Sequence, residues 1–207
     1  VENCVEVLRS EGGRVIPMSL NPSSTGRVAF TQFEPIGPVV AVSAFNHPFN
    51  LIVHQVTPAI AVGCPVVVKP ADITPLSCFA FVDILYEAGL PKEWCQIVVP
   101  QDLEVASALV SDERNAFFSF IGSARGGWML RSKLAPGTRC ALEHGGAAPV
   151  ILAADADLDD ALPRLAKGGF YHAGQVCVSV QKVYLGKKVS NSFIDKFQNQ
   201  VKKVKLG

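Results

Sequence analysis

Four residues that could contact a ligand come at the ends of predicted strands. In chain order they are Asn46, Lys69, Gly122 and Glu143. The carboxyl ends of parallel strands meet at one edge of a sheet, and ligands bind in the crevice outside that edge. A single polar residue after a strand is often only a turn former. Four residues at the same edge predict a ligand-binding crevice.

The segment Phe120-Ile-Gly-Ser-Ala-Arg-Gly-Gly127 joins a predicted strand to a predicted helix and contains Gly122 and Gly127 at the junction. Backbone amides at a helix N-terminus suit a phosphate, and glycine permits its close approach. The segment matches neither common phosphate-loop pattern, because Trp128 stands where a lysine would be required. Tight turns use the same residues, so this segment alone leaves both interpretations open.

Cys177 is the cysteine that least resembles a core residue, because it follows a glycine-rich segment in Gly174-Gln-Val-Cys177 and precedes a strand. A thiol there could face a cleft and act as a nucleophile if a base or a stabilising charge lies nearby. Glu143 ends an otherwise apolar strand, where a partly desolvated carboxylate would suit a general base. A buried structural thiol and a carboxylate that caps a turn are the alternatives.

Alternating apolar runs and helical patterns from residue 35 onward predict a doubly wound, parallel, Rossmann-like α/β sheet. Residues 14–20 and 27–33 flank a turn-rich segment and predict a hairpin before the sheet. A second α/β unit follows, and we place the boundary near residues 143–146. The expected elements of the sheet are strands at 39–44, 65–69, 96–99, 116–120 and 139–143, with helices at 51–62 (interrupted by Pro58), 75–88, 103–110 and 126–134.

The composition excludes several classes of partner. The 19 basic and 18 acidic side chains give a net charge of only +1, which argues against nucleic acid or an anionic membrane. No apolar run approaches the ~18 residues that span a bilayer, and residues 1–6 do not resemble a signal peptide. The four histidines and six cysteines lack metal-ligand spacing, so we expect no metal site. Reduced thiols favour a cytoplasmic protein.

Seven segments, in this order, resemble the aldehyde dehydrogenase superfamily over about residues 13–185. They are Ala44-Phe-Asn46, Val68-Lys-Pro-Ala-Asp72, Glu87-Ala-Gly-Leu-Pro91, Phe120-Ile-Gly-Ser123, Leu142-Glu-His-Gly-Gly146, Asp155-Ala-Asp-Leu-Asp159 and Gly174-Gln-Val-Cys177. The resemblance implies oxidation of an aldehyde to a carboxylic acid with NAD(P)+. Cys177 would be the nucleophile, forming a thiohemiacetal and then a thioester. The Asn46 side chain and the Cys177 N–H would hold the oxyanion, and Glu143 would activate the hydrolytic water.

The resemblance also implies a set of cofactor contacts. They are Phe45, Lys69, Asp72, Gly122, Ser123 and Gly127. Lys69 and Asp72 would bind the adenosine ribose, and the 122–127 turn would face the pyrophosphate. Asp72 would repel a ribose 2′-phosphate, so we expect NAD rather than NADP, although Lys69 suits either cofactor.

Departures from the family pattern bear on the substrate. Phe45 stands where tryptophan is usual, His144 where leucine is common, and Ala147 where lysine is common. We take these changes to indicate a subfamily acting on small, anionic or hydroxylated aldehydes.

Family members are more than twice as long, so we interpret the chain as a fragment. Residues 1–142 would form the cofactor-binding domain, and residues 143–207 the first part of the catalytic domain. The hairpin at 14–33 resembles the family's oligomerisation strands and favours a homodimer or homotetramer. We expect these 207 residues alone to bind cofactor poorly and to turn over little or nothing. A coenzyme A-acylating dehydrogenase and an inactive scaffold of the same fold are the alternative functions.

Overall fold

The computed structural model describes residues 1–187 and 190–205, with all of their side chains except those of residues 190 and 191. The chain divides into two compact units, Val1–Glu143 and His144–Gly207. Within the described residues, no helix has both the length and the apolar character needed to cross a bilayer.

The first unit is built on a parallel sheet. Its strands, in chain order after the two short hairpin strands β1 (Val15–Ile16) and β2 (Ala29–Phe30), are β3 (Val39–Val42), β4 (Val66–Lys69), β5 (Cys95–Ile97), β6 (Phe117–Ile121) and β7 (Arg139–Glu143). They are arranged in the order β5-β4-β3-β6-β7, and every neighbouring pair is parallel. This order confirms the predicted doubly wound, Rossmann-like sheet.

The helices of this unit are α1 (Glu2–Ser10), α2 (Pro48–Ala61), α3 (Leu76–Glu87), α4 (Leu103–Ser111) and α5 (Ala124–Arg131). The predicted interruption at Pro58 is wrong, because α2 continues through it to Ala61. Pro58 lies in the last turn on the exposed side of α2. Water can solvate the backbone carbonyl that loses its helical partner there, so the proline costs the helix little.

Successive residues of β3 point to opposite faces of the sheet. The continuous apolar sequence of β3 therefore predicts that both faces are buried. Val39 and Ala41 belong to a core that includes residues of α2 and α3. Val40, between them, packs in a second core with Val110 and Phe118. Helices therefore cover both faces of the sheet, behind the edge where the predicted ligand residues lie.

The hairpin has much shorter strands than the sequence predicts. Val15 pairs with Phe30 and Ile16 with Ala29 in antiparallel register. Pro17 follows directly and lacks the N–H that would extend the ladder.

The second unit contains a pair of parallel strands and two helices. These are β8 (Val150–Leu152), α6 (Leu158–Phe170), β9 (Val183–Leu185) and α7 (Ser190–Val201). The Asp157 side chain accepts the Asp159 N–H at 2.9 Å and caps α6. Leu152, Leu162 and Phe193 pack into the core of this unit.

Candidate active site

The carboxyl ends of the central strands are level, so the residues that follow them share one edge of the sheet. Val42 of β3 is in register with Lys69 of β4 and with Phe120 of β6. The order in which the chain adds strands reverses between β3 and β6, because β4 and β5 lie on one side of β3 while β6 and β7 lie on the other, and ligand crevices open at such switch points. Asn46, half-buried after β3, and Gly122, after β6, therefore lie at the predicted edge together with Lys69.

Lys69 carries a largely buried cation at this edge. Its side chain is 14% exposed, and its Nζ lies 2.7 Å from Asp72 Oδ1. The Nζ also donates to the Pro70 carbonyl oxygen at 3.1 Å. An ammonium donor and a carboxylate acceptor are thus held side by side at the end of β4. This combination suits a ribose diol, whose hydroxyl groups both donate and accept.

In the turn from β6 to α5, most of the predicted phosphate-binding groups already form hydrogen bonds within the protein. The Ser123 hydroxyl accepts the Gly126 N–H at 3.2 Å and caps α5. Gly127 is buried and donates its N–H to the Ser123 carbonyl, and Gly122 donates its N–H to the Glu143 carbonyl. A phosphate at this helix end would therefore use the amides of residues 124 and 125 rather than those of the two glycines.

Glu143 is exposed, and the expectation of a partly desolvated carboxylate is wrong for the structure described. The reason is its position: it ends β7, which is the edge strand of the sheet. Phe45 is also exposed, and its carbonyl oxygen accepts a hydrogen bond from Thr74 Oγ1 at 3.4 Å.

Cys177 lies in the second unit and its side chain is exposed. The residue occupies a turn that is closed by a hydrogen bond from the Ser179 N–H to the Val176 carbonyl at 2.9 Å. The Cys177 carbonyl accepts the Gly146 N–H at 3.2 Å. These bonds hold the peptide groups around Cys177, and the exposed residue does not fit the alternative of a buried structural thiol.

The other cysteines are less accessible. All six lie in the described part of the chain as unpaired thiols, with Cys64, Cys78 and Cys95 buried and Cys4 and Cys140 half-buried. Burial raises the pKa of Cys78 to about 12 and that of Cys95 to about 11, so both remain protonated at neutral pH. Since the thiolate is the nucleophile, the accessible Cys177 is the strongest candidate.

The local sequence does not mark the residues that anchor the Cys177 turn. The Gln181 side chain donates to the Gly146 carbonyl at 3.0 Å, and the Gln181 N–H donates to Ala147 at 3.0 Å. The glycine pair at 145–146 was the available signal, since paired glycines often mark a close approach of two chain segments. The segment that approaches these glycines, residues 177–181, is distant in sequence, so the local sequence does not identify it.

The chain resembles known proteins over nearly its full length. The profile of the aldehyde dehydrogenase family matches residues 1–207. The 3-sulfolactaldehyde dehydrogenase of Priestia aryabhattai is 36% identical over 195 residues, covering 94% of this chain and 41% of the relative.

Two solved structures extend the comparison. Aldehyde dehydrogenase 21 of Physcomitrella patens, in complex with the reaction product succinate, has a TM-score of 0.90 and 37% identity over 100% of this chain and 42% of its own. An aldehyde dehydrogenase from Brucella melitensis biovar abortus 2308 has a TM-score of 0.91 and 33% identity over 99% of this chain and 42% of its own. The chain thus spans about two fifths of the length of these relatives. Its resemblance in sequence and fold shows that it belongs to the aldehyde dehydrogenase family.

Proposed function

We propose that the protein that carries this chain oxidises an aldehyde to a carboxylic acid with NAD(P)+. The observation that carries the proposal is the setting of Cys177, an exposed thiol in a turn fixed by backbone hydrogen bonds. An accessible sulfur with a restrained peptide N–H beside it suits attack on a carbonyl carbon.

The proposed chemistry assigns roles to Cys177, Asn46 and Glu143. The Cys177 thiolate forms an S–C bond to the aldehyde carbon, and the carbonyl oxygen becomes an oxyanion. The Cys177 N–H would donate to that oxygen, and one such donor typically contributes ~3 kcal/mol. We assign the Asn46 amide as a second donor from the resemblance to the family. NAD(P)+, when bound, would supply the hydride acceptor, and Cys177 would then carry the oxidised substrate as a thioester. Glu143 then takes a proton from the water that hydrolyses the thioester.

The residues at the sheet edge fit a dinucleotide. The Lys69 ammonium and the Asp72 carboxylate, 2.7 Å apart, offer a donor and an acceptor to ribose hydroxyl groups. Ser123 caps the helix whose first amides suit the pyrophosphate. Asp72 is 66% exposed and would repel a 2′-phosphate, which favours NAD over NADP.

We propose a small anionic or hydroxylated aldehyde as substrate. The departures at Phe45, His144 and Ala147 support this class. So do the names of two relatives, one acting on 3-sulfolactaldehyde and the other holding succinate. We also propose assembly into a homodimer or homotetramer through the hairpin, whose apolar Val15, Val28 and Phe30 are 82%, 85% and 68% exposed.

The test is aldehyde-dependent NADH formation, followed by absorbance with a panel of anionic and neutral aldehydes. It uses the 207-residue chain and the longest native polypeptide that contains it. We expect turnover in the longer polypeptide and little or none in the 207 residues alone. Cys177→Ala should abolish NADH formation, whereas the control Cys4→Ala, a half-buried cysteine in α1, should leave it unchanged.

Glu143→Gln separates hydrolysis from transfer to coenzyme A. If Glu143 activates water, this variant should release about one equivalent of NADH and then stall as a thioester, visible as a mass increase on the Cys177 peptide. Formation of acyl-coenzyme A by the parent protein would contradict the hydrolytic proposal. Equal NADH rates for the parent and Cys177→Ala would remove Cys177 from the mechanism.

A further inference from the structure

The chain forms a left-handed turn just before Cys177. His172 has φ 54° and ψ 39°, Ala173 has φ 55° and ψ 29°, and Gly174 follows with φ 71°. Only glycine enters this region readily, and other residues normally do so singly. Two non-glycine residues in succession are not a local preference of the sequence. The surrounding structure must therefore impose this backbone conformation.

Residues 171–178 form a loop that carries Cys177, and contacts at the base of this Cys177 loop impose the left-handed conformation. The Val180 N–H donates to the Gly168 carbonyl at 3.0 Å, and Ser179 Oγ donates to the Gly169 carbonyl at 3.2 Å. A Cβ built on Gly174 would lie 3.3 Å from that same Gly169 oxygen. The returning chain is thus held against the last turn of α6, and the intervening residues must reverse direction sharply.

Two consecutive turns transmit this reversal to the nucleophile. The first is closed by the Gln175 N–H donating to His172 at 3.0 Å, and the second by the Ser179 N–H donating to Val176 at 2.9 Å. No residue separates the two turns. A rotation of the backbone at residue 173 would therefore move the peptide N–H of Cys177.

We propose that Ala173 is a positioning residue for Cys177, which rests on the proposed function. Its left-handed conformation directs the Cys177 N–H to the site where the oxyanion of a carbonyl substrate forms. The Ala173 side chain is exposed, so it contributes no core packing. Substitution at this position therefore tests backbone conformation separately from burial.

The experiment compares Ala173→Val with Ala173→Gly in the full chain. A β-branched residue strongly disfavours the left-handed region, whereas glycine adopts it without strain. The control is Ala154→Val, an exposed alanine of the same unit outside the left-handed region. Cys177→Ala shows how much of each measured reaction takes place at Cys177.

Two reagents distinguish geometry from accessibility. With p-nitrophenyl acetate, the Cys177 thiolate forms an S–acyl bond through an oxyanion, and p-nitrophenolate leaves. With iodoacetamide, it forms an S–C bond and iodide leaves, without an oxyanion. We expect Ala173→Val to slow acylation at least about tenfold while alkylation changes less than about threefold. Ala173→Gly and Ala154→Val should match the parent in both reactions.

Two results would overturn the proposal. One is acylation of Ala173→Val within about twofold of the parent. The other is a loss in Ala173→Gly at least as large as in Ala173→Val, since glycine preserves the conformation. If Ala173→Val does not fold, acylation of Ala173→Gly at least about tenfold slower than that of the parent would overturn the proposal. Neither reaction uses NAD(P)+ or an aldehyde, so failure of the proposed oxidation is recognised independently by the NADH assay.

Discussion

Raising the pH from about 8 to about 10 should destabilise the first unit through two buried thiols. Cys78 and Cys95 are both 0% exposed in the core that contains residues of α2 and α3. Burial raises the pKa of Cys78 from an ordinary 9.0 to about 12, with a smaller contribution from Cys95. Burial likewise raises the pKa of Cys95 from 9.0 to about 11. The folded state therefore holds both protons at a pH where the unfolded chain has lost them.

The sign and size of the effect follow from this difference. A folded pKa above the unfolded value stabilises the protein fully below about pH 9, and the stabilisation is lost as the pH rises toward the folded pKa. The loss is about 1.4 kcal/mol per thiol for each pH unit above the unfolded pKa. At about pH 10 the two thiols together should have lowered the free energy of unfolding by about 3 kcal/mol.

The assay is urea unfolding of the first unit, followed by circular dichroism at about pH 8, 9 and 10. The double variant Cys78→Ala, Cys95→Ala should begin less stable, because it creates cavities, but lose less stability as the pH rises. Val82→Ala is the matched control: it removes a buried, non-titrating group from the same core and should retain the pH dependence of the parent. An unchanged pH dependence in the double variant would refute the reasoning.

Three further outcomes are expected. Phe118→Ala, at a fully buried position, should lower the free energy of unfolding of the first unit by about 3–5 kcal/mol in urea titrations. Asp157→Ala removes the α6 cap and should cost the second unit about 1 kcal/mol, measured in the same way. Lys69→Gln should weaken NADH binding by about 10- to 100-fold, measured by fluorescence titration of the longest native polypeptide that contains the chain. Unchanged affinity there would exclude Lys69 from the cofactor site.

The sequence predicts the sheet well because its signals are local. The run at Arg139–Glu143 forms a strand with the predicted bounds, and Asn46 and Lys69 follow neighbouring strands as expected. Parallel strands buried on both faces must be continuously apolar, so each run marks a strand without reference to its neighbours. The topology then places the residues that follow them at one edge.

Features that depend on tertiary contacts were not predictable in this way. Nothing local indicates that His172 and Ala173 adopt left-handed conformations, since neither is glycine and the cause lies in bonds to Gly168 and Gly169. The exposure of Glu143 likewise depends on β7 being an edge strand. Strand order depends on how all the strands and helices pack together, and no single segment determines it.

The bonds at the base of the Cys177 loop limit how this segment can be transferred between proteins. Because Gly168 and Gly169 supply carbonyl acceptors to residues 179–180, a graft of the loop alone would lose its anchoring. A chimera that keeps the shape of the loop has to exchange the end of α6, the loop and the Gly146 segment as one cassette. Recombination points within residues 168–180 should therefore yield fewer working hybrids than points in the turn at 154–156.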